Sequence, residues 1–213
     1  MTLKDQLEAV FDADRAAREA ERKLMATADT ATLVDALAEA TEEALALTDR
    51  REATMRLERL ADACAQVPGP RMTDTLIAIL NDEEPIVRVA AGEALLDVGY
   101  DRYAEVARAV ERAADAGLRG PAMEELPWIL VEIGEPSALK LVQRFLTHPE
   151  PEAVAAGIEA LAALGDPDAI PALSKLVADS RTVSLDDQEG DTMATLGELA
   201  SAVIEELGRA PAD

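Results

Sequence analysis

Three groups of side chains in this 213-residue chain could do chemistry, each of a different kind. Cys64 and His148 are the only cysteine and the only histidine, and covalent or general-base catalysis needs such a group poised beside a partner. Cys64 falls among apolar helix positions and reads as core, while His148 precedes Pro149 in a turn. Asp186, Asp187, Glu189 and Asp191 cluster in one connection, and clustered carboxylates are what hard cations such as calcium take, but the spacing does not fit an EF-hand. The third group is Trp128, the only tryptophan, with Glu93, Asp97, Glu124, Glu132, Glu159, Glu198 and Glu206. An exposed indole among carboxylates suits the capture of a basic or amphipathic protein segment, by apolar burial, cation–π contact and a hydrogen bond from the ring nitrogen. Neither a glycine-rich phosphate loop nor a metal-spaced Cys/His cluster occurs, so no catalytic residue, cofactor or metal is expected.

What must position the third group is an internal repeat. Four segments close alike, at Val98-Gly99, Ile133-Gly134, Leu164-Gly165 and Leu207-Gly208. Four residues back from each glycine stand Leu95, Leu130, Leu161 and Ile204; eight back, Ala91, Leu126, Gly157 and Ala200; twelve back, Val87, Ala122, Ala153 and Leu196. Each such unit can bury its apolar face only against the next, which makes the chain a helical solenoid. If those positions face the core, helix geometry turns the ones two, six and ten before the glycine to solvent. They hold Glu93 and Asp97; Glu124, Trp128 and Glu132; Glu159; Glu198 and Glu206. Aligning an earlier helix on Pro68 adds Glu58 and Asp62, and no basic residue enters the set, so an acidic stripe is expected. Pro127 removes a helix hydrogen bond and predicts a kink; a local rotation there would return Trp128 to the core, so both placements stand.

The spacing predicts a long amphipathic helix from Thr2 to about Thr27, with Leu3, Leu7, Val10, Phe11 and Leu24 on one side and Thr2 with Asp5 as its cap. Its apolar side can serve as end cap or as a dimer surface, so monomer and homodimer are both open. Helices follow at 30 to 48 and 50 to 67, and residues 1–69 are expected to form a capping region. Pairs are then expected at 70 to 81 with 84 to 98, 101 to 116 with 121 to 133, 136 to 147 with 150 to 164, and 167 to 179 with about 192 to 207, and 209–213 as a tail. One connection is long: the step from Gly165 to Gly208 is 43 residues where that from Gly134 to Gly165 is 31, and the extra run, 180–191, reads as a solvated loop, a partner contact or a cation loop.

The run Pro85-Ile-Val-Arg-Val-Ala-Ala-Gly-Glu-Ala-Leu-Leu-Asp-Val-Gly99 resembles the second helix of a HEAT repeat in the short form of phycobilisome lyases, and 151–179 is similar to a further unit. The resemblance spans about 70 to 208 and implies an all-α, right-handed α-solenoid of about five antiparallel helix pairs with an extra N-terminal helix. It also implies that the second helix of each pair lines the concave, binding side. Family enzymes fit poorly. The iron-binding His-Glu pairs of HEAT-like deoxyhypusine hydroxylases are missing, and HEAT-like alkylpurine DNA glycosylases have a basic concave face. A lyase-like or tetrapyrrole-binding cleft is harder to set aside.

Charge points the same way. With 43 acidic against 20 basic residues, the net charge of −23 repels phosphate backbones and speaks against nucleic acid. The lysine-poor, acid-rich composition also fits salt adaptation. No signal-peptide pattern or membrane-length apolar run occurs, and a lone cysteine fits a reducing compartment. The expectation is a non-enzymatic, cytoplasmic interaction scaffold, with ligand carriage or self-assembly through the first helix as the alternatives.

Overall fold

A computed structural model describes residues 2–27, 29–187 and 190–209. Most helix starts are written locally. The long first helix, α1 (Leu3–Thr27), opens on a reciprocal cap in which the Thr2 amide donates to Asp5 (2.7 Å) and the Asp5 amide to the Thr2 hydroxyl (3.2 Å). Asp29 caps α2 (Thr30–Leu45) and Asp49 caps α3 (Arg50–Ala65) through their side chains. Proline stands in the first turn of α4 (Pro70–Leu80), α5 (Pro85–Asp115) and α8 (Pro151–Leu164), where its missing N–H leaves no hydrogen bond unmade. Between them lie α6 (Ala122–Ile133) and the short α7 (Ala138–Val142), which tightens into a 3-10 turn at Gln143–Thr147. A 3-10 turn at Pro167–Ala169, α9 (Ile170–Leu173) and α10 (Leu196–Arg209) complete the helices.

The helices stack as a solenoid. One row runs α3, α5, α6, α8, α10, each against the next; α2, α4, the second half of α5, α7 and α9 back it. A single apolar cluster runs through the stack from Leu33 to Leu207. The positions twelve, eight and four before the repeating glycines are its spine, buried throughout except for a half-buried Ile204.

Several expected boundaries moved. Gly134 (φ 73°) and Gly165 (φ 66°) end α6 and α8 in the left-handed conformation that favours glycine. Gly99 and Gly208 do not, and lie within α5 and α10. The helices expected at 84 to 98 and 101 to 116 join as α5, bent where Arg102 leaves helical geometry (φ −141°, ψ 48°). Arg102 turns there to donate to the carbonyl of Ala65 at the end of α3 (3.0 Å). Gly99 is small for a different reason: a Cβ on it would meet Ile133 Cγ1 at 2.8 Å. The expected loop at 180–191 is a β-hairpin, β1 (Thr182–Asp187) antiparallel to β2 (Gly190–Thr195), in register from Thr182 opposite Thr195 to Asp187 opposite Gly190. Glu189 and the tail beyond Arg209 lie outside the described residues. The last helix accordingly starts at Leu196, not near 192, behind a cap in which the Thr195 amide donates to Glu198 and the Glu198 amide to the Thr195 hydroxyl.

Close approach of backbones sets a testable order of tolerance. A Cβ on Gly197 would meet the backbone carbonyl of Val177 at 2.5 Å and that of Asp179 at 3.1 Å, and the Gly197 amide already donates to Asp179 (3.0 Å), so nothing there can give way. Gly197→Ala should lower stability by roughly 1–3 kcal/mol, the usual cost of overpacking. Gly99→Ala meets only a movable isoleucine side chain and gains about 1 kcal/mol of helix propensity, so it should be close to neutral. Urea unfolding of the two variants checks the order; equal losses would contradict it.

Candidate functional site

Three neighbouring clefts indent the exposed side of the α3–α5–α6–α8 row. The first, about 740 Å³, lies between α1, α3 and α5 and is lined by Asp62, Glu93 and Asp97 among others. The middle one, about 320 Å³, is floored by Leu80, Val89, Gly92, Leu96 and Ile129. The third, about 310 Å³, is walled by Glu124, Glu125, Trp128, Glu152 and Glu159, with Val183 and Ser184 from β1 at its side. Glu93 lines both the first and the middle cleft, and Glu125 both the middle and the third, so the three adjoin as a groove across successive repeats with these side chains between them.

All eight expected site residues are exposed. The groove gathers five: Glu93 and Asp97 at one end, Glu124, Trp128 and Glu159 at the other. Glu132 and Glu206 line none of the three clefts. Glu198 is committed elsewhere, its carboxylate accepting from the Thr195 amide and hydroxyl at 2.8 Å each, bonds that hold its pKa below the ordinary value. Trp128 is 42% exposed while Leu126, Pro127, Ile129 and Leu130 are buried, so Pro127 does not rotate the register. α6 continues through that proline to Ile133.

The stripe is not acidic throughout. Arg18, Arg59 and Arg102 share the first cleft with its acids, and Arg88 in the middle cleft pairs with Glu125 (3.5 Å). A reading confined to every fourth helix position misses them, because Arg18 comes from α1, Arg59 lies off the sampled line, and Arg102 is placed by the bend in α5. Among the described residues no basic side chain lines the third cleft, although Arg88 reaches its Glu125 from the middle one. Burial raises the pKa of Glu124, reinforced by the neighbouring Glu152 and Glu125, and burial alone raises that of Glu159.

Neither Cys64 nor His148 is set up for catalysis. Cys64 is buried in the core, which pushes its thiol up to about 12 and leaves it a poor nucleophile. His148 is buried where three segments meet: its Nδ1 accepts from the Glu150 amide (3.2 Å), so Nε2 carries the proton and donates to the Leu118 carbonyl (2.8 Å). Its own carbonyl accepts from Arg181 (2.9 Å). Both ring nitrogens are thus used structurally. Among the described residues no group of three or more His, Cys, Asp or Glu is placed to hold a metal ion, and no helix is long and apolar enough to cross a membrane.

The raised carboxyls fix the sign of a pH effect. A carboxyl whose folded pKa lies above its unfolded value binds more protons in the native state, so stability falls as pH rises through that interval. Glu159→Gln should therefore raise the melting temperature at pH 7, and the gain should vanish below the ordinary glutamate range, where wild type is protonated in both states. Thermal melts at pH 4 and pH 7 check this; a gain of the same size at both values would speak against it.

Residues 106–184, from the second half of α5 into β1, match the family model described as HEAT repeats. Among solved structures, the crystal structure of an engineered protein is similar at 19% identity and a TM-score of 0.38, covering 89% of this chain and 96% of that one. No curated protein matches. HEAT repeats are generally protein-interaction scaffolds. The match to HEAT repeats over residues 106–184 and the stacked helix pairs agree with one another.

Proposed function

We propose that the chain is a non-enzymatic, cytoplasmic adaptor whose groove captures a basic or amphipathic segment of a partner protein, with Trp128 as anchor. The observation that carries this reading is the third cleft, where Glu124, Glu125, Glu152 and Glu159 surround a part-exposed indole without a basic side chain among them. The ring offers apolar area and a face for a guanidinium or ammonium, and the carboxylates speed encounter and select for positive charge. The apolar floor of the middle cleft suits the apolar side of the same segment, and the acids of the first cleft extend the contact toward α1. A net charge of −23 further favours a cationic protein segment over nucleic acid or an anionic membrane surface. Within the groove, Glu93, Asp97, Glu124 and Glu159 make the contacts; Glu132 and Glu206 lie outside its clefts, and Glu198 serves its helix.

Titration with labelled amphipathic peptides carrying arginines on one face tests the reading. Trp128→Ala should weaken binding by about tenfold or more, equivalent to 1.4 kcal/mol, and Glu124→Gln with Glu159→Gln by a comparable factor. Affinity should fall with added salt and rise from pH 4 to pH 7 as the raised carboxyls ionise. Peptide binding indifferent to Trp128→Ala would remove the groove assignment.

A further inference from the structure

One glycine in the groove has no cause inside the chain. Gly92 stands half-buried in the interior of α5, without a positive φ that would call for glycine. Glycine at such a place costs stability relative to alanine. Elsewhere within the helices a neighbour accounts for it: a Cβ on Gly99, Gly157 or Gly197 would come within 3.0 Å of Ile133, Phe145 or the Val177 carbonyl. Gly208 lies in the last turn of α10, at the helix end. A Cβ on Gly92 would meet only Ile129 Cδ1 at 3.9 Å and Leu80 Cδ1 at 4.0 Å, ordinary contacts that accommodate a methyl. What the missing side chain leaves is room in the middle cleft, among Leu80, Val89, Leu96 and Ile129.

The surroundings of this gap select what fills it. Its lining is apolar, and Val89 beside it is 59% exposed. Its borders are carboxylates: Glu93, shared with the first cleft, and Glu125, shared with the third, where Glu124, Glu152 and Glu159 follow. Arg88, the basic residue of the lining, is committed to its own chain, donating to the carbonyls of Asp82 (3.2 Å) and Glu83 (2.8 Å) and pairing with Glu125. An apolar side chain flanked by positive charge complements this arrangement, whereas a wholly apolar guest leaves the carboxylates unmatched. The middle and third clefts lie on either side of α6, with Ile129 in one and Trp128 in the other. Their centres are therefore about one helix spacing apart, roughly 8–10 Å.

We propose, resting on the groove reading above, that the gap at Gly92 is a socket for one large aliphatic side chain of the partner segment, set about one helix spacing from the cation that Trp128 takes. The test uses the full chain and labelled peptides with arginines on one face and leucines on the other, each leucine replaced in turn by alanine. On wild type one of these replacements should cost tenfold or more in affinity. Gly92→Leu fills the socket from within, so it should bind the parent peptide as weakly as wild type binds that alanine peptide, and should no longer distinguish the two. Gly92→Ala should weaken the parent peptide by about fourfold, the equivalent of one displaced methylene, while raising the melting temperature by about 2–4 °C through helix propensity. Should Gly92→Leu fail to fold, Gly92→Ala decides by the same two readings. Variants that bind and discriminate as wild type does, while Trp128→Ala loses binding, would overturn the socket and leave the groove. A Gly92→Ala protein less stable than wild type would overturn it as well, because the chain itself would then require the gap. Parent-peptide binding indifferent to both Trp128 and Gly92 would remove the groove reading and the socket together.

Discussion

No helix pair in this chain can bury its apolar face alone, and the molecule follows from that constraint. Aromatics make up only 2% of the residues, so the row from α3 to α10 closes on small side chains. Ala91, Ala153 and Ala200 sit at the contact between neighbours, with Leu95, Leu130 and Leu161 filling the space above and below. Gly157 goes further, since a Cβ there would meet that of Phe145 at 2.9 Å. Near-contact of backbones maximises dispersion contacts per residue, but it commits each unit to its neighbour's exact shape. The ends of such a stack are where commitment stops, which is why α1 at one end can stand largely uncovered.

Arginine supplies a second set of ties between units. Arg50 pairs with Asp82 (2.6 Å) and Arg112 with Asp74 (2.7 Å); Arg71 pairs with Asp35 and Arg144 with Asp115. Arg102 and Arg181 reach backbone carbonyls of an earlier unit instead. Each contact links residues between 29 and 38 positions apart, close to the repeat step. The planar fork of arginine suits such bridges better than the point charge of lysine, which gives the lysine-poor composition a structural cause. Most of these pairs are exposed and contribute modestly; Asp82 is the buried one, and it also accepts from the Glu84 amide (2.9 Å).

Core and stack were legible in the sequence because both follow one period. Residues four, eight and twelve before the repeating glycines are inside, Ile204 only half so, whatever the glycine does locally. The glycines themselves were not: Gly134 and Gly165 are left-handed caps, whereas Gly99 is a gap for Ile133, and the two causes leave the same letter in the same place. The hairpin was obscured by its acids, although Thr182-Val183-Ser184-Leu185 alternates as a strand does. The exposed set around Trp128 was readable from the helix wheel. That the wall includes Glu125, Glu152 and Ser184, and that arginines enter the first cleft, depends on how units meet, which a single-helix projection does not contain.

Position along the groove then separates the carboxylates by role. Those of the ties, such as Asp74, Asp82 and Asp115, already have cations and add little field at a distance. The first cleft holds arginines among its acids, so a guest there must compete with the protein's own bases. In the third cleft Glu124 and Glu159 are partly desolvated and Glu124 is also repelled by Glu152 and Glu125, a state that a bound cation relieves. The hairpin inserted between α9 and α10 adds Val183 and Ser184 to the lining of this cleft. An insertion that lengthens a repeat thus adds a wall at the place where partly desolvated carboxylates and the only tryptophan coincide, and the recognition proposal rests on that coincidence more than on total charge.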